Sequence, residues 1–310
     1  MKKWVRRIAL ALSLVLLGGA VLSVWGLRQF RAAPEWYGAG APTPPAEREK
    51  LARAAESKLI DAQNWAQQIR ADAQRGRAAR RGVGPATPGV AATAPAALSG
   101  STEAEHLTGH VIAVSQQELN ALFDKWSAAY GWGDKYTKFV EDPRLLLRDG
   151  RLILAGKVVD IGAIVAFQFA PSIDADGRLR LDLAQVTGGR LPLPESVWAP
   201  YRDRLAASVR EKLPTWSRQA RIDSSGAANS SAMAATMGRL FLNMARREPA
   251  EPVLFLPLVD RGQSVPVRLT DVRIDDAKLT LLVEPLTPTQ RADLLQRIRT
   301  PLDTAQARGQ

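Results

Sequence analysis

The hydrophobic positions of this chain begin as one unbroken run and become periodic further on. Residues 8–27 carry no charge and follow a short start that holds four basic residues. Twenty helical residues rise about 30 Å, the thickness of a bilayer's hydrocarbon core. Because basic residues stay on the cytoplasmic side, residues 1–30 are predicted to anchor the chain in the cytoplasmic membrane, with the N-terminus inside. A cleaved signal peptide is the alternative; its apolar region is usually about 7–15 residues, so the longer run here favours an uncleaved anchor.

Residues 31–104 divide into three segments of different character. The first, 31–45, is a juxtamembrane segment in which Trp36 and Tyr37 suit the membrane interface. In residues 46–75 the apolar positions recur every three or four residues among many alanines, which predicts an amphipathic helix. Its stripe could pack on the domain, pair with another copy or lie on the membrane; few residues in it are bulky, which favours packing or pairing. Residues 76–104 are rich in small residues and proline, as in flexible linkers.

A folded domain is predicted for residues 105–303, outside the cytoplasm, with a tail at 304–310. Near its start, Ser115 precedes Glu118 by three residues, the pattern of a capping box at the beginning of a helix. Three pairs of alternating apolar runs then predict antiparallel hairpins. Their turns fall at Asp149-Gly150, Asp176-Gly177 and Asp275-Asp276. In the third pair the apolar positions change phase near Thr270, so a bulge is expected there.

Helical patterns interrupt the strands and close the domain. One apolar stripe runs through residues 195–217, where Pro214 is expected to kink or end the helix. A second stripe, in residues 231–248, contains all three internal methionines. A short helix after Thr287 or Thr289 comes last. The order of helix, strands, helices, strands and helix predicts an α+β domain with a mostly antiparallel sheet.

Composition excludes several classes of function. The chain has no cysteine, so it contains neither disulfides nor thiolate sites. The net charge of +11 is concentrated near the predicted membrane: residues 1–104 carry +8, whereas residues 105–303 carry only +2. A nucleic-acid-binding protein is expected to carry its basic residues on the folded domain. We therefore predict no nucleic-acid partner.

Sequence motifs for catalysis, metals and cofactors are weak. His106 and His110 have metal-ligand spacing, but a glycine and a β-branched strand between and after them oppose the helix that this geometry needs. Ser172, Asp174 and Asp176 imitate the start of a calcium loop that lacks its final carboxylate. No serine-nucleophile, phosphate-loop or dinucleotide motif occurs, and the carboxylate pairs lie at turns. We therefore predict a protein that is not an enzyme and binds no cofactor or metal.

Apolar residues remain as candidates for a binding site, since the sequence contains no convincing catalytic or metal motif. Residues 161–170 form a strand that is apolar on both faces, which requires a second cover or an apolar ligand. Methionine is flexible and suits surfaces that accept varied partners. Ordinary core packing is the alternative for each feature alone. The residues predicted to line an apolar groove are Ile161, Val165, Phe167, Phe169, Trp198, Leu205, Met233, Met237, Phe241 and Met244.

Over residues 108–285 the sequence resembles a known type of envelope protein. The stretches that carry the likeness are SQQELNALF, RLLLRDGRLILAGKV, DGRLRLDLAQVTGGRLPLPESV and DVRIDDAKLTLLVEP. They are similar to membrane-anchored bacterial envelope proteins that resemble the tubular lipid-binding (TULIP) superfamily. The resemblance implies a strongly curved, mostly antiparallel sheet wrapped around a long helix, here Glu195–Ser217, with an apolar tunnel or groove. The complete fold expected is this α+β domain preceded by one transmembrane helix and a helical stalk.

The function expected from these features is non-catalytic binding of a lipid or other hydrophobic molecule at the cell envelope, for transfer or sensing. The bilayer is then one partner, through residues 8–27, and the hydrophobic ligand the other. The alternative is a membrane-tethered scaffold that recruits other envelope proteins through the 46–75 helix and the sheet edges. A hydrolase of envelope polymers is less favoured, because no nucleophile and base can be assembled.

Overall fold

The structure is a computed structural model that describes residues 25, 28–38, 43–82, 109–129, 137–223, 226–257, 263–275 and 277–300. The predicted membrane span 8–27 lies outside these residues except for Trp25, as do most of the predicted linker and the tail. Within the described ranges, no helix combines the length and the apolar character needed to cross a membrane.

The described residues form an α+β structure with two antiparallel sheets. The helices are α1 (Glu35–Gly38), α2 (Pro45–Gly82), α3 (Gln116–Ala129), α4 (Glu195–Gln219), α5 (Ser230–Arg246) and α6 (Pro288–Arg299). The strands are β1 (His110–Ser115), β2 (Val140–Arg148), β3 (Arg151–Val158), β4 (Ala163–Ile173), β5 (Leu179–Gly188), β6 (Leu191–Pro192), β7 (Val253–Pro257), β8 (Ser264–Asp275) and β9 (Lys278–Pro285). Sheet A has the order β1-β9-β8-β7, and sheet B has the order β2-β3-β4-β5-β6.

Several local predictions are confirmed. The three hairpins are β2–β3, β4–β5 and β8–β9. At the first turn Asp149 and Gly150 both have positive φ, 52° and 71°, which aspartate and glycine tolerate. The register of β8 against β9 shifts between Leu269 and Asp271, where the change of phase predicted a bulge. At Pro214 a kink or an end was predicted; helix α4 continues to Gln219, so the end is wrong.

Helix α2 lies on sheet A and also against α3. Its buried positions are alanines, among them Ala55 and Ala62, each with 0% exposure, in one core with strands of sheet A. Small side chains let the helix backbone approach the sheet closely. The ring of Trp65 stacks on His110 with the centroids 4.9 Å apart. The predicted amphipathic helix therefore uses its apolar stripe to cover sheet A.

The prediction of a sheet wrapped around the Glu195–Ser217 helix is wrong. Helix α4 packs chiefly against α5, and the core they share extends to α6 and the edge strand β7. Across the described ranges no helix is enclosed by a sheet, and the long helix that does lie on a sheet is α2. The physical reason is side-chain size, because Gly238 of α5 leaves room for Val209 and Trp216 of α4. Helix α5 thereby covers the apolar stripe of α4 that was expected to face a sheet.

The segment that follows the predicted anchor is packed on sheet B. Residues 28–31 are helical, and α1 comes after Pro34, which is buried. Trp36 and Tyr37 cover a small core formed by residues of β3 and β4, including Ile153 and Ala166. The Tyr37 hydroxyl donates a hydrogen bond to the backbone oxygen of Asp142 at 2.6 Å. The N-terminal chain is thus fixed to the sheet before α2 begins.

Candidate binding surface on helices α4 and α5

Helices α4 and α5 form an antiparallel pair. At one end Asn229, the N-cap of α5, donates from Nδ2 to the backbone oxygen of Gln219, the last residue of α4, at 2.8 Å. At the other end Arg247 Nη2 donates to Glu195 Oε2 at 3.2 Å, which joins the start of α4 to the end of α5. These contacts fix the two helices side by side, so the pair has two long lateral faces.

Helix α6 covers one of these faces. Leu242 of α5, with 1% exposure, shares a core with Leu294 and Ile298 of α6. Arg239 reaches from α5 to the end of α6 and donates from Nη2 to the backbone oxygen of Ile298 at 2.9 Å. Burial lowers the pKa of Arg239. This face is fully used in the fold.

The opposite face is exposed and apolar. On α4, Val197, Tyr201 and Leu205 are spaced four residues apart and have exposures of 50, 69 and 53%. On α5, Met233 and Met237 are likewise four apart, with exposures of 40 and 53%. Residues four apart lie on the same side of a helix. We call these five side chains the α4–α5 face.

The two stripes lie on the same side of the helix pair. Gly238 marks the inner side of α5, and Val209 marks the inner side of α4 opposite to it. Each residue turns the helix by about 100° around its axis. By this measure Leu205 is rotated away from Val209, and Met237 away from Gly238, in the same rotational sense. In antiparallel helices equal rotations from the contact line reach the same side. The α4–α5 face is therefore one strip. The half-buried Phe241 lies on its inner edge, and the half-buried Met244 lies on the same side of α5 as Met233 and Met237.

Charged groups flank the strip at the start of α4. The Arg202 guanidinium lies over the Trp198 ring, 5.1 Å from its centroid. It donates to Asp203 at 3.0 Å and to Glu195 at 2.9 Å, and these bonds raise the pKa of Arg202. The Trp198 ring is consequently covered by the Arg202 guanidinium. Trp198 therefore lies at the border of the strip and is not one of its exposed residues.

The predicted groove residues fall into two places. Trp198, Leu205, Met233, Met237, Phe241 and Met244 lie on α4 and α5. Val165, Phe167 and Phe169 lie on β4, and Ile161 lies in the turn before it. Strand β4 packs mainly with β3, β5 and β8, whereas α4 packs with α5. Phe169 is buried, and Phe167, with 37% exposure, stands opposite the exposed Leu154 of β3.

Val197 and Tyr201 were missed as candidate site residues. Tyr201 is the most exposed residue of the strip, and the spacing of four from Val197 to Tyr201 and from Tyr201 to Leu205 was the available signal. The predicted groove contains Trp198 from this stripe, and Trp198 lies under Arg202. Periodicity identifies a helical stripe, but it does not show which edge of that stripe stays uncovered.

The other sequence candidates have structural roles. His110 lies in β1 against Trp65, and His106 is outside the described residues. Asp174 Oδ1 accepts from the N–H groups of Asp176 and Arg178 at 3.0 and 2.9 Å, so it holds the hairpin turn. Among the residues that the structure describes, histidine and carboxylate side chains form no group of three or more that could hold a metal ion.

Comparisons with protein-family models, with curated proteins and with solved structures gave no match to this chain.

Proposed function

We propose that this protein is a membrane-tethered, non-catalytic binding module that holds an apolar helical segment of another envelope protein on its α4–α5 face. The observation that carries the proposal is the exposure of five large apolar side chains in one strip, with the half-buried Phe241 and Met244 beside them. Residues 8–27 would provide the tether. The module would then present its strip outside the cytoplasm, where other envelope proteins are found.

The size of the strip suits a weak or transient protein partner. Five large side chains exposed by about half leave on the order of 400 Å² of apolar surface, the size of the largest apolar patch on a typical monomer, which is often functional. Covering it contributes roughly 10 kcal/mol at 25 cal/mol per Å². Association itself costs about 4–15 kcal/mol. The balance lies between about 6 kcal/mol of net binding free energy and none, which means weak binding unless the partner extends beyond the strip.

The shape of the strip favours a helix as the occupant. Its members repeat every four residues in one row that passes from 197–205 of α4 to Met237 and Met233 of α5, since Val209 lies opposite Gly238. A partner helix can lie along such a row with apolar anchors at helical spacing. The two methionines add side chains that adapt to different partners. A partner with apolar residues at helical spacing would complete a three-helix layer.

A lipid acyl chain is the second candidate, and the long, narrow outline of the strip supports it. Ligand sites usually bury about 70–90% of a small ligand. The strip covers an acyl chain from one side only. For this reason the geometry ranks lipid binding below a protein partner.

Site-specific photocrosslinking of the full chain in its native membrane tests both candidates. A photoreactive residue would replace Leu205, and, as the matched control, Ala207, which is exposed on another side of the same helix. We expect a discrete crosslinked protein from position 205 only, and Met237→Lys on the neighbouring helix should abolish it. Crosslinks carrying the mass of a lipid would support the second candidate. Equal products from both positions, or none from either, would overturn the proposed function.

A further inference from the structure

One end of sheet B carries exposed apolar side chains. Phe139, just before β2, has 62% exposure, and Val159 and Ile161 in the β3–β4 turn have 40 and 42%. The Val159 N–H donates to the backbone oxygen of Phe139 at 2.9 Å, so the turn and the start of β2 are adjacent. We call these three residues the proximal edge.

The chain that follows residue 27 is fixed at this same end. The Arg190 N–H donates to the backbone oxygen of Gln29 at 3.1 Å, in the turn that joins β5 to β6. The adjacent Gly189 N–H donates to the backbone oxygen of Ile164 at 2.6 Å, next to the β3–β4 turn. These bonds place the segment 28–31 beside the proximal edge.

Two glycines make room for this segment. A side chain at Gly188 would collide with the ring of Phe30, and one at Gly189 would collide with the backbone of Phe30 and Gln29. Gly189 also has a φ of 59°, which favours glycine. The sheet is therefore shaped to receive the chain at this end, and the contact fixes where residue 28 lies.

We infer that the proximal edge rests in the interfacial layer of the bilayer that holds the chain's own anchor. The inference depends on the tether in the proposed function, since the apolar run 8–27 ends beside residue 28. Transfer of apolar side chains from water into the membrane interface lowers the free energy of the system. The exposed Arg28, Arg31 and Lys138 lie nearby and suit anionic headgroups, whereas Asp160 in the turn opposes them. Insertion of apolar side chains is the main interaction.

Contact at the proximal edge would also orient the domain. An anchor alone leaves the domain free to tilt, whereas a second contact point next to it restricts tilting. The far end of sheet B, at the Asp176-Gly177 turn, would then point away from the membrane. The α4–α5 face would be held in a limited range of directions toward its partner.

The absence of cysteine makes a direct test possible, because any introduced cysteine is unique. Ile161→Cys and Asp176→Cys would label opposite ends of the same sheet with an environment-sensitive fluorophore. The full chain would be inserted into vesicles of phosphatidylcholine and phosphatidylglycerol, with and without a lipid that carries a nitroxide quencher near its headgroup. We expect several-fold stronger quenching at position 161 than at 176, and the same at a Val159→Cys label.

Flotation of the vesicles separates this inference from the tether. Protein that floats with the vesicles but is quenched equally at both ends retains the tether and overturns the contact of the proximal edge. Protein that fails to float overturns the tether, and the inference with it. Tryptophan fluorescence and circular dichroism of each labelled variant establish that sheet B has kept its fold.

Discussion

Replacing Glu118 by glutamine tests how α2 is held on the domain. Glu118 is 7% exposed and lies in the first turn of α3. Its carboxylate accepts from Lys58 Nζ of α2 at 2.7 and 2.8 Å and from the Ser115 N–H at 2.7 Å. Glutamine keeps the size and the capping oxygen but loses the charge. The substitution therefore removes one ionic link between the two helices and leaves the pairs Lys125–Glu56 and Arg48–Asp124 in place.

The expected cost is about 2 kcal/mol of unfolding free energy, within the range of about 1.5–3 kcal/mol for hydrogen bonds to charged groups. The value is not larger because the Lys58 side chain is 41% exposed, so water takes over part of its solvation. Lys58→Met should remove the same link from the other side. In a double-mutant cycle we expect a coupling of about 1 kcal/mol between the two positions.

The cost should depend on pH in one direction. Burial alone would raise the pKa of Glu118, but hydrogen bonds from Lys58 and Ser115 outweigh it and hold the pKa below its ordinary value of 4.5. A lowered folded pKa means that the stabilisation is present above the unfolded pKa and is lost as pH falls through the folded pKa. The difference between the native protein and Glu118→Gln should thus shrink as the pH falls below 4.5.

Urea unfolding of both proteins at neutral and acidic pH measures this difference. Glu211→Gln is the matched control, since this exposed glutamate on α4 should change stability by less than about 0.5 kcal/mol. Equal stability of Glu118→Gln and the native protein at neutral pH would refute the reasoning. A difference that stayed constant on acidification would show that charge plays no part in it.

Three further substitutions test other parts of the structure. Arg239→Met should lower the unfolding free energy by about 1–3 kcal/mol and speed hydrogen exchange in α6, because it removes the donor to Ile298; unchanged exchange would contradict the contact. Burial raises the pKa of Tyr37 to about 12, so the absorbance titration of the native protein minus Tyr37→Phe should show a phenol ionising near that pH; a midpoint at the ordinary value would mean that α1 is undocked. Leu242→Ala should cost about 2–5 kcal/mol in thermal unfolding, and the exposed Leu205→Ala under about 1 kcal/mol; equal costs would contradict their different burial.

Local features of the fold could be predicted from the sequence because they depend on neighbours in the chain. The capping box of Ser115 and Glu118 forms with both hydrogen bonds, at 2.7 and 3.2 Å. Thr287 caps α6 in the same way. The aspartate–glycine turns and the bulge of β8 also follow from a few consecutive residues, whose backbone preferences restrict the choices.

The candidate site could be predicted only in part. Helical spacing predicts apolar stripes that contain Leu205 and the methionines of α5, and Leu205, Met233 and Met237 lie together on one exposed face. The residues of β4 were grouped with them because both sets are apolar. Composition carries no information about which elements are in contact. Strand β4 packs with β3, β5 and β8, whereas α4 packs with α5.

The sequence by itself determined which faces of each element are apolar, where the helices begin and where the chain reverses. Tertiary structure decided what covers those faces: α2 rather than α4 lies on a sheet, and the segment before α1 crosses sheet B at Gly188 and Gly189. The physical reason is that burial is non-directional. An apolar stripe gains similar free energy against any well-fitting surface, so small differences in side-chain size, such as the alanines of α2 and Gly238 of α5, select the partner.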